Sequence, residues 1–160
     1  MTEQAPAFDE AMIREALVSA VPFNALVGIE VLEVRPGRGV VLLPDAERLH
    51  NHVASQHAGA LFLAGEAAGG AAFVGAFAAE MGEITFLLRG ARILYEHLAR
   101  GEVLATCEIG SELARIRREL DADGRSTLTA RAELADRNGN SVCALELDYS
   151  IRRSSRSQVS

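Results

Sequence analysis

From Ala58 to Ala79 the sequence reads AGALFLAGEAAGGAAFVGAFAA, about 22 residues carrying a single charge, Glu66. A helix this apolar has two places to go: across a bilayer, or into the middle of a fold that covers nearly every side of it. Ala and Gly fill most of the run, large apolar side chains are few, and no Trp, Tyr, Lys or Arg anchors flank it closely. Glu66 also stands near its centre, where a membrane would tolerate it least. The run is therefore expected to be a buried helix, with no membrane partner. One helix hidden on all sides needs a sheet wrapped around it.

The flanking sequence offers that sheet. Residues 8–20, FDEAMIREALVSA, place Phe8, Met12, Ile13, Ala16 and Leu17 on one face and predict an amphipathic helix that Pro22 ends. A short helical turn over 23–27 follows. GIEVLEV (28–34) and GVVLLP (39–44), around Arg35-Pro36-Gly37-Arg38, predict a hairpin. Beyond the apolar run, EITFLLRGARILYEHL (83–98) and EVLATCEIG (102–110) are strand-like and meet across Arg100-Gly101. SELARIRRELDADG (111–124) predicts a helix capped by Ser111, with Leu113, Ile116, Arg117 and Leu120 at helical spacing and Gly124 as its stop. STLTARAELAD and SVCALELDYSIRR flank Asn138-Gly139, the strongest hairpin signal in the chain. This order predicts one α+β domain over residues 1–152 with an N-terminal helix within 1–20, late strands pairing antiparallel through short turns, and a frayed tail over 153–160.

Composition narrows the function classes. At 160 residues and 49% hydrophobic content the chain suits one globular domain with a sizeable core. Its net charge is −6, and basic residues cluster only at Arg115–Arg118 and Arg152–Arg156, which argues against a nucleic-acid partner. Cys107 and Cys143 lie far apart on apolar segments without zinc spacing, and read as two buried free thiols in a reducing cytosol. The opening MTEQAPAFDEAM is too acidic and polar for a signal peptide, so the expected location is cytoplasmic.

A lone carboxylate is expensive to bury, and a chain that keeps one has a use for it. Upstream of Glu66 stand His57 and Asn51, giving N-x5-H-A-G-x6-E. The segment Asn51-His52-Val53-Ala54-Ser55-Gln56-His57-Ala58-Gly59-Ala60-Leu61-Phe62, followed by Glu66, resembles the hotdog-fold acyl-CoA thioesterases. The likeness is to the phenylacetate-pathway type and to a neighbouring group of uncharacterised thioesterase-like hotdog domains. Their pattern is an Asn in the loop, His-Gly-Gly opening the central helix, and Asp or Glu nine positions after the His. Asn51, His57 and Glu66 fall in that register, and the β-rich order fits over roughly residues 20–152. Two departures stand out: Ala58 replaces the first Gly, and Glu66 replaces the commoner Asp.

The resemblance implies a hotdog fold, a long central helix wrapped by a mainly antiparallel sheet. It implies an acyl-CoA thioesterase that needs no cofactor and takes an acyl-CoA or acyl-carrier thioester as substrate. It implies that the Ala58 N–H polarises the thioester carbonyl, and that a hydroxyl on the strand after the helix, Thr85 here, holds the attacking water. Finally, it implies a homodimer or a dimer of dimers, that is, a homotetramer.

Physical chemistry supports a divided site. The first amides of a helix point outward unpaired and the macrodipole adds partial positive charge, so those of His57, Ala58 and Gly59 are expected to form an oxyanion site. Glu66 lies two and a half turns further on, roughly 13 Å by helix rise. One subunit cannot bring its own Glu66 to its own helix start, whereas an antiparallel partner helix can. Glu66 would serve as general base on water, or as nucleophile through a mixed anhydride, with its pKa raised by the apolar setting. Asn51 would orient the water or the carbonyl, and His57 would position the loop.

Plainer explanations stand beside each role. Glu66 can face a polar gap at an interface, Asn51 can close a turn, His57 can cap the helix, and Thr85 is ordinary strand composition. His50 and His52 are too few for a metal site. Gly65, Gly69, Gly70 and Gly75 imply close packing or room for a pantetheine arm. Two other activities remain open: a non-catalytic acyl-thioester-binding hotdog module, which Ala58 keeps in view, and a hotdog dehydratase or hydratase pairing His57 with Glu66. Arg89, Arg92 and Arg115–Arg118 are all candidates to meet the adenine end of CoA.

Overall fold

The computed structural model describes residues 9–154; Phe8, Arg156 and most of the expected tail lie outside that range. Asp9 caps α1 (Glu10–Ala20) by accepting from the Met12 N–H at 3.1 Å, and Pro22 opens α2 (Pro22–Val27). The hairpin follows as β1 (Glu30–Arg35) and β2 (Arg38–Leu43), turning at Gly37 with φ +80°. Next come the central helix α3 (Ala58–Phe77), β3 (Ile84–Tyr95), β4 (Val103–Glu108), α4 (Leu113–Asp123), β5 (Arg125–Asp136) and β6 (Ser141–Arg153).

The six strands form one antiparallel sheet in the order β1-β2-β4-β5-β6-β3. β5 and β6 pair through the expected Asn-Gly turn, where the Asp136 carboxylate accepts from the Asn138 and Asn140 amides. Arg100-Gly101 is not such a turn. β5 and β6 lie between β4 and β3, and β3 pairs with β6; alternation fixes which face a strand buries and says nothing of which neighbour it takes. Ser111 does not cap α4 either: Gly110–Glu112 form a 3-10 turn, and α4 starts from Glu112 with no side-chain cap. Gly124 ends it in the left-handed region, as expected.

The sheet curls around α3, which packs on the inner faces of β1, β2, β4, β5 and β6. Two glycines set the separation. A Cβ on Gly39 of β2 would collide with the Ala68 carbonyl of α3, and one on Gly75 of α3 would collide with the Arg35 carbonyl of β1. Helix and sheet backbones therefore touch directly. Burying Phe73 and Phe77 contributes about 2–3 kcal/mol each, which offsets the helix glycines at up to about 1 kcal/mol apiece. By length and composition the helix running on to Glu80 is apolar enough to cross a membrane, but 67% of its most apolar window is buried inside this fold.

Cys107 and Cys143 are buried and unbridged. Burial, with a smaller contribution from Glu108, pushes the Cys107 thiol up to about 12. Burial, followed by Glu96, raises Cys143 to about 11. Both stay protonated and unreactive at neutral pH.

The two edges of the sheet differ. At β1, side chains of α1 occupy the outer backbone groups: Arg14 Nε donates to the Val31 carbonyl at 2.7 Å and the Val34 N–H donates to Glu10 at 3.2 Å. At β3, 12 residues long, no strand among the described residues pairs with the side away from β6. Leu87 and Leu94 on it are more than half exposed.

Candidate functional site

The start of α3 is built by the loop before it. Asn51 Oδ1 accepts from the Val53 and Ser55 amides at 3.0 and 3.2 Å, and its Nδ2 donates to Ser55 Oγ at 3.0 Å. The turn forces Ala54 to φ +54°, an uncommon conformation for a residue with a Cβ. Gln56, almost wholly buried, donates from Nε2 to the carbonyls of Pro44 and Gly101 at 3.0 and 2.9 Å, tying the loop to the β3–β4 crossover. Asn51 thus spends its polar atoms on the loop. These are the bonds of the turn-closing role.

His57 is the N-cap of α3. Its own N–H donates to the Leu49 carbonyl at 2.8 Å, and its Nδ1 accepts from the Gly59 N–H at 2.9 Å. The Ala60 and Leu61 amides go to the His57 carbonyl. Of the three amides expected to face outward, only that of Ala58 has no acceptor among the described residues. His57, Ala58 and Gly59 are all exposed, so this N–H is open to a ligand. The Tyr95 hydroxyl donates to the Ala58 carbonyl at 3.0 Å and pins the same residue from the β3 side. The result is one aimed backbone donor at a helix N-terminus, where the macrodipole favours negative charge.

Glu66 lies on the one face of α3 that the sheet leaves half-open, a stripe of Phe62, Glu66, Gly70 and Val74 at four-residue spacing. A Cβ at Gly70 would meet nothing within 4 Å, so space remains along this stripe; Gly65 and Gly69 instead make room for Leu145 and for Leu147 and Tyr149. The Glu66 carboxylate has no hydrogen bond or ion pair among the described residues. Burial raises its pKa above the ordinary carboxylate value. Helix rise puts it roughly 12 Å from the Ala58 N–H of the same chain, so a single subunit keeps the two apart.

Thr85 is apart from both. Its neighbour Phe86 stacks on Phe73 at 3.9 Å and on Tyr149 at 4.1 Å, which fixes Phe86 on the inner face of β3. Alternation then turns Thr85 outward. There it lines a cleft of about 280 Å3 with Leu87, Arg89, Ser150 and Arg152. Of the cations considered for CoA, Arg115 is taken up by Glu112 and Glu119, and Arg117 by Glu80 at 2.5 Å and the Phe77 ring. His50 pairs with Asp45 at 2.7 Å. Sequence reading missed Tyr95 and Tyr149. Each sits in a strand where an aromatic needs no special reason, and only the fold shows where the hydroxyl lands.

Comparison with known proteins places the chain. The model of DUF4442, a domain of unknown function, matches residues 9–151, and the chain belongs to that family. No curated protein matches it. Among solved structures it is similar to PA5026 of Pseudomonas aeruginosa, a protein of unknown function described as a probable thioesterase: 22% identity over 89% of this chain and 95% of that one, TM-score 0.81. It is also similar to PaaI of the Escherichia coli phenylacetic acid degradation operon, at 16% identity over 91% and 94% with TM-score 0.67. A mutant of the thioesterase SAV0944 from Staphylococcus aureus matches at 17% identity over 82% and 99%, TM-score 0.65. At these identities the likeness is one of fold: this is the hotdog fold, as the sequence resemblance implied.

Proposed function

We propose that this protein hydrolyses acyl thioesters, with acyl-CoA as the substrate class, at a site assembled from the Ala58 N–H of one subunit and Glu66 of another. The observation that carries this reading is Glu66 itself. A carboxylate without a partner, held on the half-open face of an otherwise buried helix, is a standing cost to the fold.

The second subunit is supplied by the bare edge of β3. β3 is long and, apart from Thr85, Arg89 and Arg92, largely apolar, and its unpaired edge is a template for another strand, while the β1 edge is already occupied by α1. Two-fold pairing of β3 with its copy extends the sheet and sets the half-open stripes of the two central helices side by side and antiparallel. That arrangement carries each Glu66 toward the other subunit's helix start.

The chemistry then runs as follows. The thioester carbonyl oxygen accepts from the Ala58 N–H. Glu66 takes a proton from a water molecule, and the resulting hydroxide attacks the carbonyl carbon. Negative charge moves onto the oxygen at the helix N-terminus, where the amide and the dipole hold it. The C–S bond breaks as the oxyanion collapses, the thiolate leaves, and the proton on Glu66 returns to it. The products are a carboxylic acid and a free thiol. The acyl group lies along Phe62 and the space over Gly70.

A panel of acyl-CoA thioesters with free-thiol detection tests the reading. Wild type is expected to release CoA from at least one member of the panel, and Glu66→Ala to lose that release. Equal low rates for the two proteins would overturn the proposal. Saturable binding of acyl-CoA without turnover would identify a binding module in its place.

A further inference from the structure

We propose that Tyr149 is the positioning residue for Glu66: its phenol donates a hydrogen bond to one carboxylate oxygen and leaves the other directed at the attacking water. The inference rests on the reading of Glu66 as the base, and it stands on three observations.

The first is burial without a partner. Tyr149 is 2% exposed, and its hydroxyl has no hydrogen-bond partner among the described residues. A buried, unpaired hydroxyl is costly, and each one in a native fold asks for a reason. The second is placement. Tyr149 stands on the inner face of β6, and its hydroxyl fills the space a Cβ on Gly69 would occupy, 2.7 Å from that position. The hydroxyl therefore rests on α3 one turn from Glu66, within the sweep of a glutamate side chain rooted there. The third is composition. Tyr149 ends an aromatic stack that runs through Phe86 and Phe73 to Phe77. Phe serves at the other three positions, and Phe at 149 would fill the same volume with no orphaned group. The only Tyr in the stack is the one whose tip reaches the helix beside the carboxylate.

The electrostatics agree. Burial, then the neighbouring Glu66 and Cys107, raise the Tyr149 phenol pKa, so it is a donor across the working pH range. The groups that act on the phenol are Glu66 of α3 and Cys107 of β4, and the Phe86 ring of β3 stacks on it. A neutral donor here steadies the carboxylate against desolvation without neutralising it, and keeps more of it ionised at neutral pH.

The test reads Glu66 directly. Protein labelled with 13C at the glutamate carboxyls is titrated by NMR, with the Glu66 resonance assigned by its loss in Glu66→Gln. In Tyr149→Phe the Glu66 midpoint is expected to rise by about one pH unit, the loss of one bond to the charged form. The acid limb of kcat/KM should move up with it. Gly69→Ala, whose methyl displaces the hydroxyl, should move the midpoint the same way, and it decides the matter if Tyr149→Phe fails to fold. An unchanged or lowered midpoint overturns the proposal. The titration needs no turnover, so a protein in which Glu66→Gln leaves hydrolysis intact would sink the catalytic reading while the Tyr149 result still stands on its own.

Discussion

Glu66→Gln is expected to lower kcat/KM by about 100- to 10,000-fold, the range that a positioned general base contributes, while making the protein more stable at neutral pH. The pairing of the two effects is diagnostic. Glu and Gln share a shape, so packing along the Phe62–Glu66–Gly70 stripe is kept. What changes is a charge that the fold desolvates without a counter-ion among the described residues. Because burial raises the folded pKa above the unfolded value of 4.5, the folded state binds the proton more tightly. The contribution of Glu66 to stability is therefore fully present below 4.5 and is lost as pH rises through the folded pKa. Gln does not titrate, so the variant should match wild type in Tm at low pH and exceed it at pH 7. A structural carboxylate serving an interface would give the opposite result, a loss of stability on replacement. Thermal unfolding across pH, measured beside hydrolysis, separates the two.

Ala58→Pro should be nearly as severe, with a fall of about 100- to 1,000-fold, the effect of removing one oxyanion donor. The substitution is unusually clean. Ala58 is the first residue of α3, where Pro is favoured because the N–H there has no helical acceptor. His57 has φ −66° and ψ 140°, the extended conformation that a residue before Pro adopts. The backbone thus accepts the ring as it stands, and the main loss is the single free amide. Circular dichroism should be unchanged while kcat falls. Retained turnover would mean that the carbonyl is polarised elsewhere.

Both effects trace to features of unequal legibility. Glu66 was visible at once, because a single charge in an apolar run violates the pattern around it, and the spacing back to His57 and Asn51 marked the helix start. The elements themselves were readable from periodicity and from Pro-Gly and Asn-Gly turns. The crossing of β3 was not, because alternating residues look the same beside β4 or β6. Parity was the second loss: Thr85 turns outward only because Phe86 stacks inward, a choice made by Phe73 and Tyr149 more than ten residues away on either side. The third was the accounting of amides. Three N–H groups at a helix start look alike in sequence, and only the His57 ring, folding onto the Gly59 amide, and the Leu49 carbonyl, accepting from His57, reduce them to one.

The central claim is that the Ala58 amide and Glu66 of a working site come from different chains. Mixing Glu66→Gln with Ala58→Pro, by co-refolding or co-expression, tests it most directly. In a random mixture half the dimers are mixed, and each mixed dimer holds one site with both groups intact and one with neither. Activity should return to about one quarter of wild type, although each variant alone is nearly inactive. If the mixture stays as inactive as its parents while exchange of subunits is confirmed, the site lies within one chain and the account is wrong.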